Sequence, residues 1–215
     1  MPSTRYGIFL RPDPATCWAV TQVTYALKQQ YGLVAAAAFP PHATLIGNLQ
    51  STVDEEDLTD ALDAVFSGLA PFPVYNHGVT RTPSGSYRYD INRNHTGREQ
   101  NGPLGQAAAA VREVVLPLHA RHNDYLAPNV QEYTFAGHLT LAGFDLDIDQ
   151  RLSEEVGEFI AGLPVTVPEA FTARWYSLFE FTADWTGHWW TDMPWRHVKS
   201  WDVASASQPR PAEEG

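Results

Sequence analysis

Two histidines in this 215-residue chain are each followed, two positions on, by a threonine inside a short apolar run. One run is His42-Ala43-Thr44-Leu45-Ile46-Gly47, and the other is His138-Leu139-Thr140-Leu141-Ala142-Gly143. Residues i and i+2 of a strand point to the same face, so each imidazole projects beside its own hydroxyl. Gathered in one cleft, these four side chains can drive in-line displacement at phosphorus. One imidazole takes the proton of the attacking oxygen while the other protonates the leaving oxygen. The hydroxyls donate hydrogen bonds to the non-bridging oxygens, which gain charge in the transition state. That chemistry needs no metal. The competing explanation is a pair of satisfied core histidines on buried strands. Two of them at equivalent positions, each with its threonine, argue against it.

The elements around the motifs repeat as well. After each hexapeptide, a polar turn leads into an amphipathic helix, one opened by Asp54-Glu55 and the other by Asp147-Ile148-Asp149. These helices stop at Gly68-Leu69 and Gly162-Leu163, at closely similar distances from their histidines. A helix also precedes each motif, over residues 15–31 and 106–122, and Trp18, Val20, Val23, Ala26 and Leu27 recur near helical spacing in the first. Strands are expected over 6–10, 42–47, 74–80, 85–90, 138–142, 165–172, 175–181 and 195–203. The order helix, His-x-Thr strand, helix, strand therefore occurs twice, which reads as a structural duplication.

Composition narrows the partners. The chain has 25 acidic against 14 basic residues and a net charge of -11, which disfavours bulk electrostatic binding of long nucleic acid. A small anion needs only a local positive site. With 44% hydrophobic residues the chain is not generally disordered. The single cysteine, Cys17, excludes a disulfide framework and a thiolate metal cage. No run approaches a membrane span and no leader is recognised, so a cytoplasmic protein without membrane contact is expected.

At its two His-x-Thr-apolar motifs the chain resembles the 2H phosphoesterase superfamily, which includes the 2′-5′ RNA ligase-like proteins and cyclic nucleotide phosphodiesterases. The order of elements matches from about residue 6 to 203. The resemblance implies an α+β fold of two duplicated lobes, with two largely antiparallel sheets around a central cleft and helices outside. It implies hydrolysis of 2′,3′-cyclic or related phosphates, or cleavage and joining of 2′-5′ linkages. One departure is Gly137 before the second motif, where a proline is frequent.

The expectation drawn from both lines is a metal-independent phosphoesterase acting on a small nucleotide-like cyclic phosphate. His42 and His138 are its acid and base, and Thr44 and Thr140 bind the phosphate. Arg81, Arg88, Arg93 and Arg98 form a basic segment that is either a solvated loop or a phosphate-binding flap. Arg88, Arg93 and Tyr133 are its candidate substrate contacts. Five tryptophans near the C-terminus either pack a hairpin or stack on a base. His119-x-x-His122-x-Asp124 lacks a third ligand at sensible spacing, so no metal and no cofactor is expected. The chain is read as a monomer with one two-lobed domain over 1–203 and a disordered tail over 204–215. The alternatives are RNA end processing or 2′-5′ ligation, with an RNA end as partner, or a nucleotide-binding module without turnover.

Overall fold

The computed structural model describes residues 2–120, 135–148 and 150–206. Strand β1 (Ser3–Arg11) runs into helix α1 (Pro14–Tyr31), whose first turn is capped by the Asp13 carboxylate accepting from Thr16 N at 2.8 Å. Gly32, at φ 71°, ends that helix with its N–H on Lys28 O. The first motif follows on β2 (Ala43–Leu49), and Asp54 caps α2 (Glu55–Ser67). Then come β3 (Phe72–Tyr75), β4 (Val79–Arg81), β5 (Tyr87–Asp90) and α3 (Gly102–Val115). The second motif lies on β6 (His138–Ala142), followed by α4 (Phe144–Ile148) and α5 (Gln150–Gly162). Strands β7 (Ala170–Ala173), β8 (Trp175–Ala183) and β9 (Trp195–Asp202) lead to α6 (Val203–Ala206).

All strand pairings are antiparallel, in sheets ordered β2-β1-β8-β9, β4-β5-β6 and β3-β7. The fold is α+β and duplicated. β1 is flanked by β2 and β8 as β5 is flanked by β6 and β4. The first half thus lends β4, and the second half lends β8 and β9, to the sheet of the other, and β3 pairs with β7 across the junction. This exchange adds a small third sheet to the expected pair.

Several boundaries differ from expectation for local reasons. The run 74–80 breaks in two because β3 and β4 serve different sheets. Helix α3 begins at Gly102, capped by Asn101 and carrying Pro103 in its first turn, and gives way to a 3-10 turn at Leu116–Leu118 around Pro117. The strand expected over 165–172 shortens to β7, since Pro164 and Pro168 interrupt a ladder. Residues 203–206 form α6 rather than the start of a tail. Trp18 is 64% exposed and points away from the core. At 100° per residue it stands opposite Val20, Val23 and Leu27, which are buried.

One hydrophobic core unites both halves, with Ile8, Leu10, Leu45, Leu139, Tyr176 and Leu178 among its members. The other face of β1 turns Phe9 into a second cluster with Phe179, Phe181, Trp185, Trp189 and Trp190. Strands β2 and β6 are the edges of their sheets and meet each other, with α1 against β6. That meeting brings the two motifs together.

Candidate active site

Burial alternates identically in the two motifs. His42, Thr44, His138 and Thr140 are half-buried, whereas Ala43, Leu45, Leu139 and Leu141 are buried. The rings are also tied alike. Nδ1 of His42 lies 2.7 Å from Pro40 O, and Nδ1 of His138 lies 2.7 Å from Ala136 O. A carbonyl only accepts, so Nδ1 carries the hydrogen in both, and Nε2 is the basic nitrogen of each neutral ring. Thr44 Oγ1 sits 3.0 Å from His42 Nε2.

Gly137 has a local reason to stand where a proline is frequent. Its N–H donates to Asn92 Oδ1 at 3.0 Å, and its carbonyl accepts from Ile91 N at 3.1 Å. A Cβ there would lie 2.7 Å from Leu104 Cδ2. The second motif is therefore held by a hydrogen bond that proline cannot make.

All four motif side chains line one cavity of ≈ 630 Å³. Its walls differ. On the first, Phe9, across the ladder from Thr44, stacks on His42 with centroids 3.8 Å apart and planes at 21°. Gly7 makes that possible, since a Cβ there would come within 2.3 Å of the Phe9 ring. Opposite Gly7, two residues of β2, Gly47 and Asn48, occupy the place of one. This bulge puts Asn48 at φ 56° and turns both residues to the cavity. On the second wall, Arg88 is the direct cross-strand partner of Thr140, on the same face, and also lines the cavity. Farther along β1, Arg5 reaches the cavity with its guanidinium 4.4 Å from the Trp185 ring.

Burial pushes the His42 imidazole down to about 4. Its bond to Pro40 opposes the shift, and charge on His138 adds to it. His138 is also lowered, first by burial and then by Arg88, against the Ala136 carbonyl and Asp90. Both rings are neutral at pH 7, and both have been displaced from the ordinary imidazole value of ~6.5.

Of the other expected contacts, Arg88 lies in the cavity wall and Arg93 does not. Arg93 Nε donates to Asp90 at 3.1 Å and a terminal nitrogen donates to Gly97 O. Arg81 is turned to α5, on Ser153 Oγ. The basic segment is thus a sheet hairpin and a turn, with β5 as a central strand, and not a flap. Tyr133, His122 and Asp124 lie outside the described residues. Trp185 and Trp189 are buried but border the cavity, Trp190 donates to Asp145, and Trp201 packs on Phe66. Among the described residues no three His, Cys, Asp or Glu side chains form a metal-binding group, and no helix is long and apolar enough to cross a membrane. Phe9, Gly7, Asn48 and Arg5 were not foreseen. For Arg5, Gly7 and Phe9 the signal was the odd-numbered face of β1, hidden by the apolar run beside it.

The model of the 2′-5′ RNA ligase superfamily matches residues 12–175, which include both motifs. The chain belongs to the 2′-5′ RNA ligase superfamily. This superfamily member shares its fold with several solved structures. A phosphoesterase aligns at TM-score 0.53 and 16% identity, covering 93% of this chain and 98% of that one. E. coli LigT complexed with NADP+ aligns at 0.52 and 14%, covering 93% and 96%. TT0787 of Thermus thermophilus aligns at 0.51 and 16%, covering 93% and 98%. No curated protein matches the chain in sequence.

Proposed function

We propose that this superfamily member is a metal-independent phosphoesterase that opens a 2′,3′-type cyclic phosphate on a small nucleotide, using His42 and His138 as its proton-transferring pair. The observation that carries this reading is the matched pair of imidazoles, each fixed through Nδ1 to the carbonyl two residues before it, on one cavity. Water attacks phosphorus, and the Nε2 of one neutral ring takes its proton. The bond from phosphorus to one ribose oxygen breaks, and the other ring, protonated, supplies that oxygen with a hydrogen. Thr44 and Thr140 donate to the non-bridging oxygens, and Arg88 offsets their charge. Arg93, engaged with Asp90, is left out of the phosphate site. The cavity falls in the size range of nucleotide-sized ligands, and E. coli LigT, of similar fold, has been solved holding NADP+.

The test is turnover of 2′,3′-cyclic, 3′,5′-cyclic and 2′-5′-linked nucleotides with a chelator present. The 2′,3′-cyclic substrates should be opened. Either His42→Ala or His138→Ala should remove most of the activity, and the double change should cost little beyond the worse single one, because the pair acts as a unit. Loss of Thr44 or Thr140 should be milder, on the order of 10²-fold. Near-normal turnover in either histidine variant would put the catalyst elsewhere. Turnover confined to 2′-5′ linkages would favour the ligase-type alternative.

A further inference from the structure

The two motifs keep the same spacing past their glycines and then diverge in chemistry. His42 to Leu49 matches His138 to Asp145 position by position. Gly47 and Gly143 both border the cavity, as do the residues after them, Asn48 and Phe144. The next pair differs in kind. Leu49 is buried in the main core, whereas Asp145 is a half-buried carboxylate on α4. The repeat does not call for an acid at this position, so the reason for it lies in the bonds that Asp145 makes.

Both oxygens of Asp145 are engaged, each with a distant part of the chain. Oδ2 accepts from Ala35 N at 2.6 Å, across 110 residues of sequence. Oδ1 accepts from Trp190 Nε1 at 2.9 Å. Ala35 is buried and opens the 3-10 turn Ala36–Ala38. That turn leads through Phe39 and Pro40 to His42, and Pro40 O is the acceptor that orients the His42 ring through Nδ1. The far end of the turn is held as well, since Ala38 O accepts from Trp195 Nε1 at 3.0 Å. Trp190 in turn lies flat on Phe144, the neighbour of Asp145, with centroids 5.3 Å apart and planes at 18°. A carboxylate just past the second motif therefore grips the segment that delivers the first histidine.

A carboxylate suits a tie of this kind. It offers two acceptor oxygens in a fixed fork and no donor, and its charge strengthens both bonds. An amide would keep one acceptor and turn an N–H towards the other donor. In-line displacement also needs its two proton-transferring groups on opposite sides of one phosphorus, so their separation matters to the rate. We infer that Asp145 is a positioning residue, which sets the spacing of His42 and His138 by fastening the end of the second motif to the lead-in of the first. It acts through the turn and the Pro40 carbonyl on one side, and through the strand carrying His138 on the other. Its effect on turnover rests on the proposed chemistry, whereas the tie itself does not.

The test compares wild type with Asp145→Ala and Asp145→Asn, each well below its own unfolding midpoint. Asp145→Asn is nearly isosteric and decides the question even where Asp145→Ala does not fold. Two quantities are read: turnover of a 2′,3′-cyclic nucleotide, and the NMR titration of the His42 ring in the free 15N-labelled protein. In both variants kcat should fall about 10- to 100-fold with KM little changed, because displaced reacting groups slow the chemical step. The His42 ring should titrate higher than in wild type, since a loosened lead-in admits water to it. Loss of a negative charge by itself would move the titration lower, so the two causes differ in sign. A variant that is merely less stable, with wild-type kcat, overturns the inference. So does a His42 titration that stays in place or moves lower. If wild type opens no cyclic phosphate, the proposed chemistry fails, and the His42 titration alone decides for or against the tie.

Discussion

Phe9 and Arg88 hold equivalent positions, each directly across a ladder from a motif threonine. One lays an aromatic face on His42, and the other brings a positive charge to the His138 side. The cleft is therefore symmetric in its His-Thr pairs and asymmetric in their surroundings, one side apolar and the other positive. Burial also sets the pH dependence. Ordinary imidazoles would have put both limbs of the rate profile near neutrality. Here both rings are held below ~6.5, His42 at about 4. In the proposed chemistry the reactive form has one proton on the pair, and kcat/KM reports the free enzyme. Its maximum should therefore lie on the acid side of pH 6.5, measured on the best cyclic substrate. A maximum at pH 8 would mean that the imidazoles do not carry the proton transfers.

Each motif is placed by the element that carries it. The alternation of half-buried His and Thr with buried aliphatics could be read directly from the residues, because a period of two survives any tertiary context. Other features could not. The run Tyr6–Leu10 is apolar on both faces, so no periodicity separated Ile8 and Leu10, in the main core, from Phe9, at the cleft. Trp18 was read with the core face because a tryptophan near helical spacing usually packs inward. Its angle around α1 decides otherwise. The two-residue lead-in to β6 is tested by Gly137→Pro, which removes the bond to Asn92 and crowds Leu104. Stability should drop by about 1–3 kcal/mol in urea unfolding. Turnover should fall as well, since Ala136 O and His138 move together. A fully stable and active variant would show that this lead-in does not position the histidine.

For the molecule as a whole, the desolvated neutral imidazoles link folding to pH. A histidine held below its unfolded value binds fewer protons folded than unfolded. The stability it confers is fully present above about 6.5 and drains away as pH falls towards its folded value. For His42 that window runs from ~6.5 down to about 4. The urea midpoint should decline between pH 7 and pH 5, and the decline should be shallower in His42→Gln. Parallel slopes in the two proteins would assign the acid sensitivity to other groups.

The exchange of strands between the halves has a consequence for the histidines themselves. Each half, taken with a second copy of itself, could close the same pairings as a twofold dimer, with β4 or β8 crossing to the neighbour. In such a dimer every wall residue is present twice, because a twofold interface is self-complementary. Phe9 could then not face Arg88; there would be two of one or two of the other. Joining the halves in one chain lifts that constraint. It is the covalent connection, and not the two His-Thr pairs, that allows this cleft a left and a right.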